Sequence, residues 1–336
     1  MFPGEQVAEQ GEDSRVVGQL TARRGAPAAA GCARYTAHTV PTAVIEFTFD
    51  PILRVGDSAV RLETLALAGV ILAVLLLGAR IAGGTPAAGE DPGPFVHRPR
   101  LRRDDLLFIA LGVLPGAVAG GRIGYALLHL DYYASAPFAL LDPALGSLEL
   151  SLAVLGGAGT GAMVARLLDG PVGRSFHVAT LPLLVGLALG KAATALGGDG
   201  QGTQSDLPWA TAYVGPGPWG SLAPGVPAHP AQLYEAVATV VVLVLMVAVL
   251  AAGGFGKRDG RSFLVALALW ALGRALAAAT WRDATLIGPF NAGQLIALAI
   301  AVGAVGLAVR FPRLAAAPSR PPSEPTWPDP ETRPHF

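Results

Sequence analysis

Apolar residues gather into seven stretches along the chain, and polar residues collect in the segments between them. A helix needs about 20 mostly apolar residues to cross the hydrocarbon of a bilayer. On that length the pattern predicts spans over about 62–82, 106–128, 148–168, 176–196, 232–252, 263–281 and 293–310. Gly156, Gly157, Gly159 and Gly161 interrupt the third stretch, and Pro182, Gly186 and Gly190 interrupt the fourth. Either is a candidate for a broken or re-entrant helix, which lipid tolerates only where protein or water satisfies the freed backbone groups. The expected fold is an all-α integral membrane protein of about seven transmembrane helices, some broken or glycine-interrupted, over residues 45–311.

The flanks read differently. Residues 1–44 mix charge, Ala and Gly without periodicity and lack the apolar run of a cleavable signal peptide, so they are expected to be disordered or to follow a start codon assigned too early. Residues 312–336 are rich in Pro and charge and are expected to form a flexible tail. No repeat of about 20–50 residues is evident, which leaves a transporter built from internal repeats without support.

Charge in the connecting segments fixes an expected orientation. Arg98, Arg100, Arg102 and Arg103 precede the second span, Arg166 and Arg174 join the third to the fourth, Lys257, Arg258 and Arg261 join the fifth to the sixth, and Arg310 and Arg313 follow the seventh. Residues 129–147 and 197–231 carry no Lys or Arg. Positive charge stays on the cytoplasmic side, so the tail is expected inside and the N-terminus and both neutral segments outside.

Composition closes off other classes. With 52% hydrophobic and 14% charged residues in 336, the chain has too few charges to coat a soluble globule. A single cysteine, Cys32, excludes an internal disulfide, and six scattered histidines give no metal-ligand spacing, so neither metal nor cofactor is expected. No basic tract or aromatic platform suggests nucleic acid.

Chemistry is then sought where polar groups enter apolar spans, because a charge in lipid costs at least about 2.5 kcal/mol. Arg122 lies late in the second span between Gly121 and Tyr125, either facing a head group or snorkelling to the surface. Lys191 ends the fourth span and runs into the glycine-rich segment around Asp199, which offers backbone N–H groups to an anion or is simply an external loop. His229, Gln232, Tyr234 and Glu235 open the fifth span within seven residues, as a site or as an elaborate helix start. Arg274 lies within the sixth span and needs a partner, for which Glu235 or Glu63 is available; Arg282 follows at its outer end, and Asn291 and Gln294 begin the seventh. Gly156 and Gly157 admit close approach of another helix or of a ligand. Arg122, Lys191, Arg274 and Arg282 together suggest an anionic head group, a phosphate above all.

These motifs resemble, in order and spacing from about Thr42 to Arg310, the prolipoprotein diacylglyceryl transferases. The resemblance rests on Gly120-Gly121-Arg122-Ile123-Gly124-Tyr125, Gly186-Leu187-Ala188-Leu189-Gly190-Lys191, Asp206-Leu207-Pro208-Trp209 and, most specifically, His229-Pro230-Ala231-Gln232-Leu233-Tyr234-Glu235. It implies a seven-span enzyme of the bacterial plasma membrane. Such an enzyme moves diacylglyceryl from phosphatidylglycerol to the cysteine thiol of a prolipoprotein signal peptide and releases glycerol phosphate.

It also implies roles: Arg122 and Arg282 on the phosphate or in catalysis, Lys191, Tyr125, Asp199, Gln232, Tyr234, Gly156, Gly157 and Arg274 in substrate binding. His229 or Glu235 is the candidate base. The chain departs from the family pattern at Leu155, where a histidine is usual, at Lys191 for an arginine, at Thr194 and Gly197 for asparagines, at Asp199 for a glutamate and at Glu63 for a tyrosine. A non-catalytic relative that binds lipid or lipopeptide is the alternative these departures raise.

Overall fold

The structure, a computed structural model, describes residues 44–84, 103–142, 147–168 and 170–315. Residues before 44 and after 315, and the arginines at 98, 100 and 102, lie outside the described residues; the last helix runs to Ala315, four residues into the tail expected from 312. Helices run over Leu62–Gly84 (α1), Arg103–Leu128 (α2), Leu130–Ser135 (α3), Leu150–Leu167 (α4), Val172–Thr194 (α5), Ala231–Ala251 (α6), Arg261–Ala278 (α7) and Ala292–Ala315 (α8), with a 3-10 turn at Pro137–Leu141. All but α3 are long and apolar enough to cross a membrane, giving seven spans within a few residues of those predicted.

The third and fourth spans are continuous helices, not broken ones. The glycines of α4 serve contact with α2. Gly112, Gly116, Gly120 and Gly124 recur every four residues along α2 and meet Val164, Thr160, Gly156 and Leu152 of α4. A Cβ on Gly116 would strike the Gly156 carbonyl oxygen, and one on Gly156 would strike that of Gly116. Small residues at this spacing let two backbones touch, which is how helices associate where lipid supplies no hydrophobic drive. Gly156→Val is therefore expected to destabilise the protein by about 1–3 kcal/mol, the usual cost of overpacking. The unfolding midpoint in detergent measures it, and an unchanged midpoint would mean that the seam gives way freely.

α7 is the centre of the remaining helices. Of its most apolar stretch 61% is buried, against 6% for α1, whose leucines and valines are left for lipid. Phe263, Leu267, Trp270 and Ala271 of α7 pack with Leu184 and Leu187 of α5, Val242 and Met246 of α6, and Ile300 and Ala304 of α8.

One face of the bundle carries the long connections. There β1 (Ile45–Phe47) pairs parallel with β4 (Thr211–Tyr213), the hairpin of β2 (Ile52–Val55) and β3 (Ser58–Arg61) leads into α1, and the hairpin of β5 (Thr285–Ile287) and β6 (Phe290–Asn291) leads from α7 into α8. Asn291 and Gln294 form a reciprocal capping box, each side-chain oxygen accepting from the other's backbone N–H at 2.8–3.0 Å. Their amide nitrogens donate to the Ala278 and Ala275 carbonyls of α7, so both residues are joints between helices.

Candidate functional site

Four ionised side chains meet at the loop-rich face. Glu149 precedes α4 and caps it: its carboxylate accepts from the backbone N–H of Ser151 at 2.8 Å and of Leu152 at 2.6 Å. Arg274 of α7 donates from Nε to Ser151 Oγ at 2.8 Å, from Nη2 to Glu149 at 3.1 Å and from Nη1 to Glu235 Oε2 at 2.5 Å. The other oxygen of Glu235, Oε1, lies 3.2 Å from Lys191 Nζ. The order is Glu149, Arg274, Glu235, Lys191, with alternating sign and no net charge.

Such a row answers the cost of burial. Arg274, Glu149 and Glu235 are each about 95% buried, and a lone charge there would be penalised by several kcal/mol. The guanidinium also lies 4.6 Å from the centre of the Trp281 ring, a cation–π contact that shields it from the side facing the loops. The excess of cations expected from Arg122, Lys191, Arg274 and Arg282 is thus offset by two carboxylates at Arg274 and Lys191. Of the two partners considered for Arg274, Glu235 is used. Glu63 pairs instead with Arg61, which also reaches Asp199, at 3.6 and 3.7 Å.

Lys191 and Glu235 open onto a cavity of about 310 Å³ whose other walls include Gln201, Ser221, Trp281 and Arg282. Arg282 donates from Nε to the Gly202 carbonyl at 2.6 Å, and its Nη2 lies 3.5 Å from Gln201 Oε1. Gln201 is buried and joins the loops: Nε2 donates to the Thr211 carbonyl at 2.6 Å, and Oε1 accepts from Ser221 Oγ at 2.5 Å. Lys191 near the end of α5 and Arg282 just past α7 therefore face one space.

The string from His229 to Glu235 divides its labour. Glu235 alone of its polar residues lines the cavity. Trp209 Nε1 donates to the Tyr234 hydroxyl at 2.7 Å, and that hydroxyl lies 3.2 Å from His229 Nδ1. Gln232 Nε2 donates to the Tyr213 hydroxyl at 2.8 Å. Burial pushes the Tyr213 phenol up to about 12, so it stays neutral. Gln232 Oε1 is buried without a hydrogen bond. Both oxygens of Glu235 rest on cations, Oε2 on Arg274 and Oε1 on Lys191.

Other expected residues lie elsewhere. Arg122 donates to the Asp142 backbone carbonyl, and Tyr125 stacks on His129 with ring centres 4.1 Å apart. Neither lines the cavity. Gly156 and Gly157 face α2, and Leu155 is 37% exposed on α4. Asp199 lies against Gly220, itself a wall of the cavity, so close that a Cβ there would meet its carboxylate. Sequence reasoning missed Glu149, Ser151, Gln201 and Ser221. The available signal for Glu149 was an acidic residue immediately before an apolar run, the pattern of a helix cap.

The family described as prolipoprotein diacylglyceryl transferase matches residues 53–310. Among curated proteins named phosphatidylglycerol–prolipoprotein diacylglyceryl transferase, that of Geobacter sulfurreducens is 32% identical over 221 residues, covering 63% of this chain and 80% of the relative. That of Nostoc sp. is 26% identical over 234 residues, 67% of this chain and 81% of the relative. That of Brucella ovis is 31% identical over 219 residues, 64% and 73%.

Proposed function

The chain belongs to the prolipoprotein diacylglyceryl transferase family, and on that premise we propose that its cavity is where diacylglyceryl passes from phosphatidylglycerol to the thiol of a prolipoprotein cysteine. The new bond is sulfur to the terminal carbon of the diacylglyceryl group. The bond broken is that carbon to its phosphate oxygen, and the electron pair leaves on glycerol phosphate. The thiol must lose its proton to attack.

The observation that carries the assignment of roles is the pair of cations, Lys191 and Arg282, on two walls of one cavity. Negative charge grows on the phosphate oxygen as the bond breaks, and fixed cations beside it lower that barrier without reorganising. Glu235 and Arg274 hold Lys191 in place. His229, held by Tyr234 and backed by Trp209, stands behind the cavity wall beside Gly202, and is the group we assign to the thiol proton as the imidazole nearest the cavity in this string. Arg122, Tyr125 and Asp199 belong to the surrounding head-group and loop surface, and Gln232 supports the loops from within through Tyr213. The acyl chains lie in the bilayer beside α1 and α2, whose apolar faces are left open.

The same reading places the protein in a bacterial plasma membrane, with the cavity on the outer side and the basic segments around Arg166, Lys257 and Arg310 inside. Its acceptor is the signal peptide of a prolipoprotein.

The test is transfer of labelled diacylglycerol from phosphatidylglycerol to a lipobox peptide by the purified protein, with the Cys→Ser peptide as control. Label on the cysteine peptide alone is expected. Lipid binding without transfer would instead identify a binding protein that kept the scaffold and lost the reaction.

A further inference from the structure

We infer that Glu149 is a positioning residue for the reaction, acting on the Lys191 ammonium through Arg274 and Glu235. The inference rests on the reading that Lys191 faces the leaving phosphate. It concerns a residue that touches neither the cavity nor any group assigned a chemical role.

The argument starts from a division of labour on one carboxylate. Glu149 Oε1 serves both the Ser151 N–H and Arg274 Nη2, while Oε2 takes the Leu152 N–H. Capping α4 needs only the backbone bonds. The additional bond to Arg274, with Ser151 Oγ on Nε, fixes the guanidinium by two of its edges and leaves Nη1 for Glu235. Arg274 is thereby held between two anions, and its charge is divided between them.

Glu235 is divided in turn, with Arg274 at 2.5 Å and Lys191 at 3.2 Å. The longer contact is the one that opens on the cavity. Neutralising Glu149 gives the whole Arg274 charge to Glu235, draws the guanidinium towards it and loosens its hold on Lys191. In a setting of low dielectric this redistribution is strong, because interactions among these charges are little screened. The ammonium then no longer keeps one place against the phosphate, and errors of about 1 Å in such placements cost about a hundredfold in rate.

A capping residue and a positioning residue differ in how their loss combines with loss of Lys191. The experiment is a double-mutant cycle on kcat and on KM for phosphatidylglycerol, with Glu149→Gln, Lys191→Met and the double variant, in detergent micelles. Glu149→Gln is expected to lower kcat at least tenfold with KM changed less than threefold. Added to Lys191→Met, it is expected to cost less than threefold more, because the group it positions is gone. Losses that multiply would overturn the inference and leave Glu149 as a cap.

Should Glu149→Gln fail to fold, Glu149→Asp carries the test. Aspartate caps helices well but is one methylene short of Arg274, so the same non-additive loss is expected and multiplying losses again overturn it. A wild-type protein that transfers nothing would count against the proposed function alone. The role of Glu149 is then read on the rate at which an amine reagent modifies Lys191, located by mass spectrometry: faster modification in Glu149→Gln is expected, and an unchanged rate would sink the role of Glu149 separately.

Discussion

Arg274→Met is expected to lower stability by about 3–5 kcal/mol and to abolish transfer, more than any other single replacement in the bundle. Methionine fills the space, but Glu149 and Glu235 then keep their charges about 95% buried, with Lys191 the remaining cation of the row. Removing one member of a buried pair is far more damaging than removing the pair, since the partner's desolvation is left unanswered. Combining Arg274→Met with Glu149→Gln restores neutrality, with Glu235 against Lys191, and is expected to recover much of the lost stability. Unfolding midpoints in detergent for the two variants test both statements. If Arg274→Met alone is as stable as the wild type, the row is not what ties α4, α6 and α7 together.

The spans were legible because apolar runs of membrane length have no other use in a chain with so few charges, and their ends fell within a few residues. The pairing of Arg274 with Glu235 was legible for a related reason. A mid-span arginine must find an anion, and Glu235 stood near the start of the preceding apolar stretch. What could not be read was which of two explanations each glycine obeyed. Gly156 and Gly157 resemble either a break or a contact surface, and the decision depends on whether a second helix carries small residues at matching heights. α2 does, at Gly112, Gly116, Gly120 and Gly124, and so the helices stay whole.

Charge was misread in a similar way. Four arginines and lysines counted along the chain gave an anion site, yet Arg274 turned out to be spent on Glu149 and Glu235, and Arg122 on a carbonyl beyond α3. Glu149 went unnoticed because it is the second residue of its predicted span, at an end where a carboxylate is ordinarily solvated. The packing of α2 through Gly121 and Gly124, together with Arg274 of α7, buries it. Gln201 and Ser221 were invisible for a stronger reason: loop residues acquire partners from the path of the loop, which no periodicity encodes.

Arg282→Ala is expected to reduce kcat by about a hundred- to a thousandfold, the range seen when one fixed donor to a developing oxyanion is removed. KM for phosphatidylglycerol should change far less, because Lys191 still faces the same cavity. Arg282→Lys separates charge from geometry. In the wild type Nε is committed to the Gly202 carbonyl at 2.6 Å, and that bond orients the planar group so that its Nη atoms project past Gln201. Lysine has one nitrogen and no fork, so it can meet the carbonyl or the phosphate but not both in the arginine's geometry. It is therefore expected to remain at least tenfold below the wild type, in contrast to Lys191→Arg, where Glu235 can accept a guanidinium as readily as an ammonium and activity is expected within about tenfold. Measured kcat and KM for the three variants check this. Full recovery in Arg282→Lys would mean that charge alone is needed there and that the Gly202 bond plays no part in catalysis.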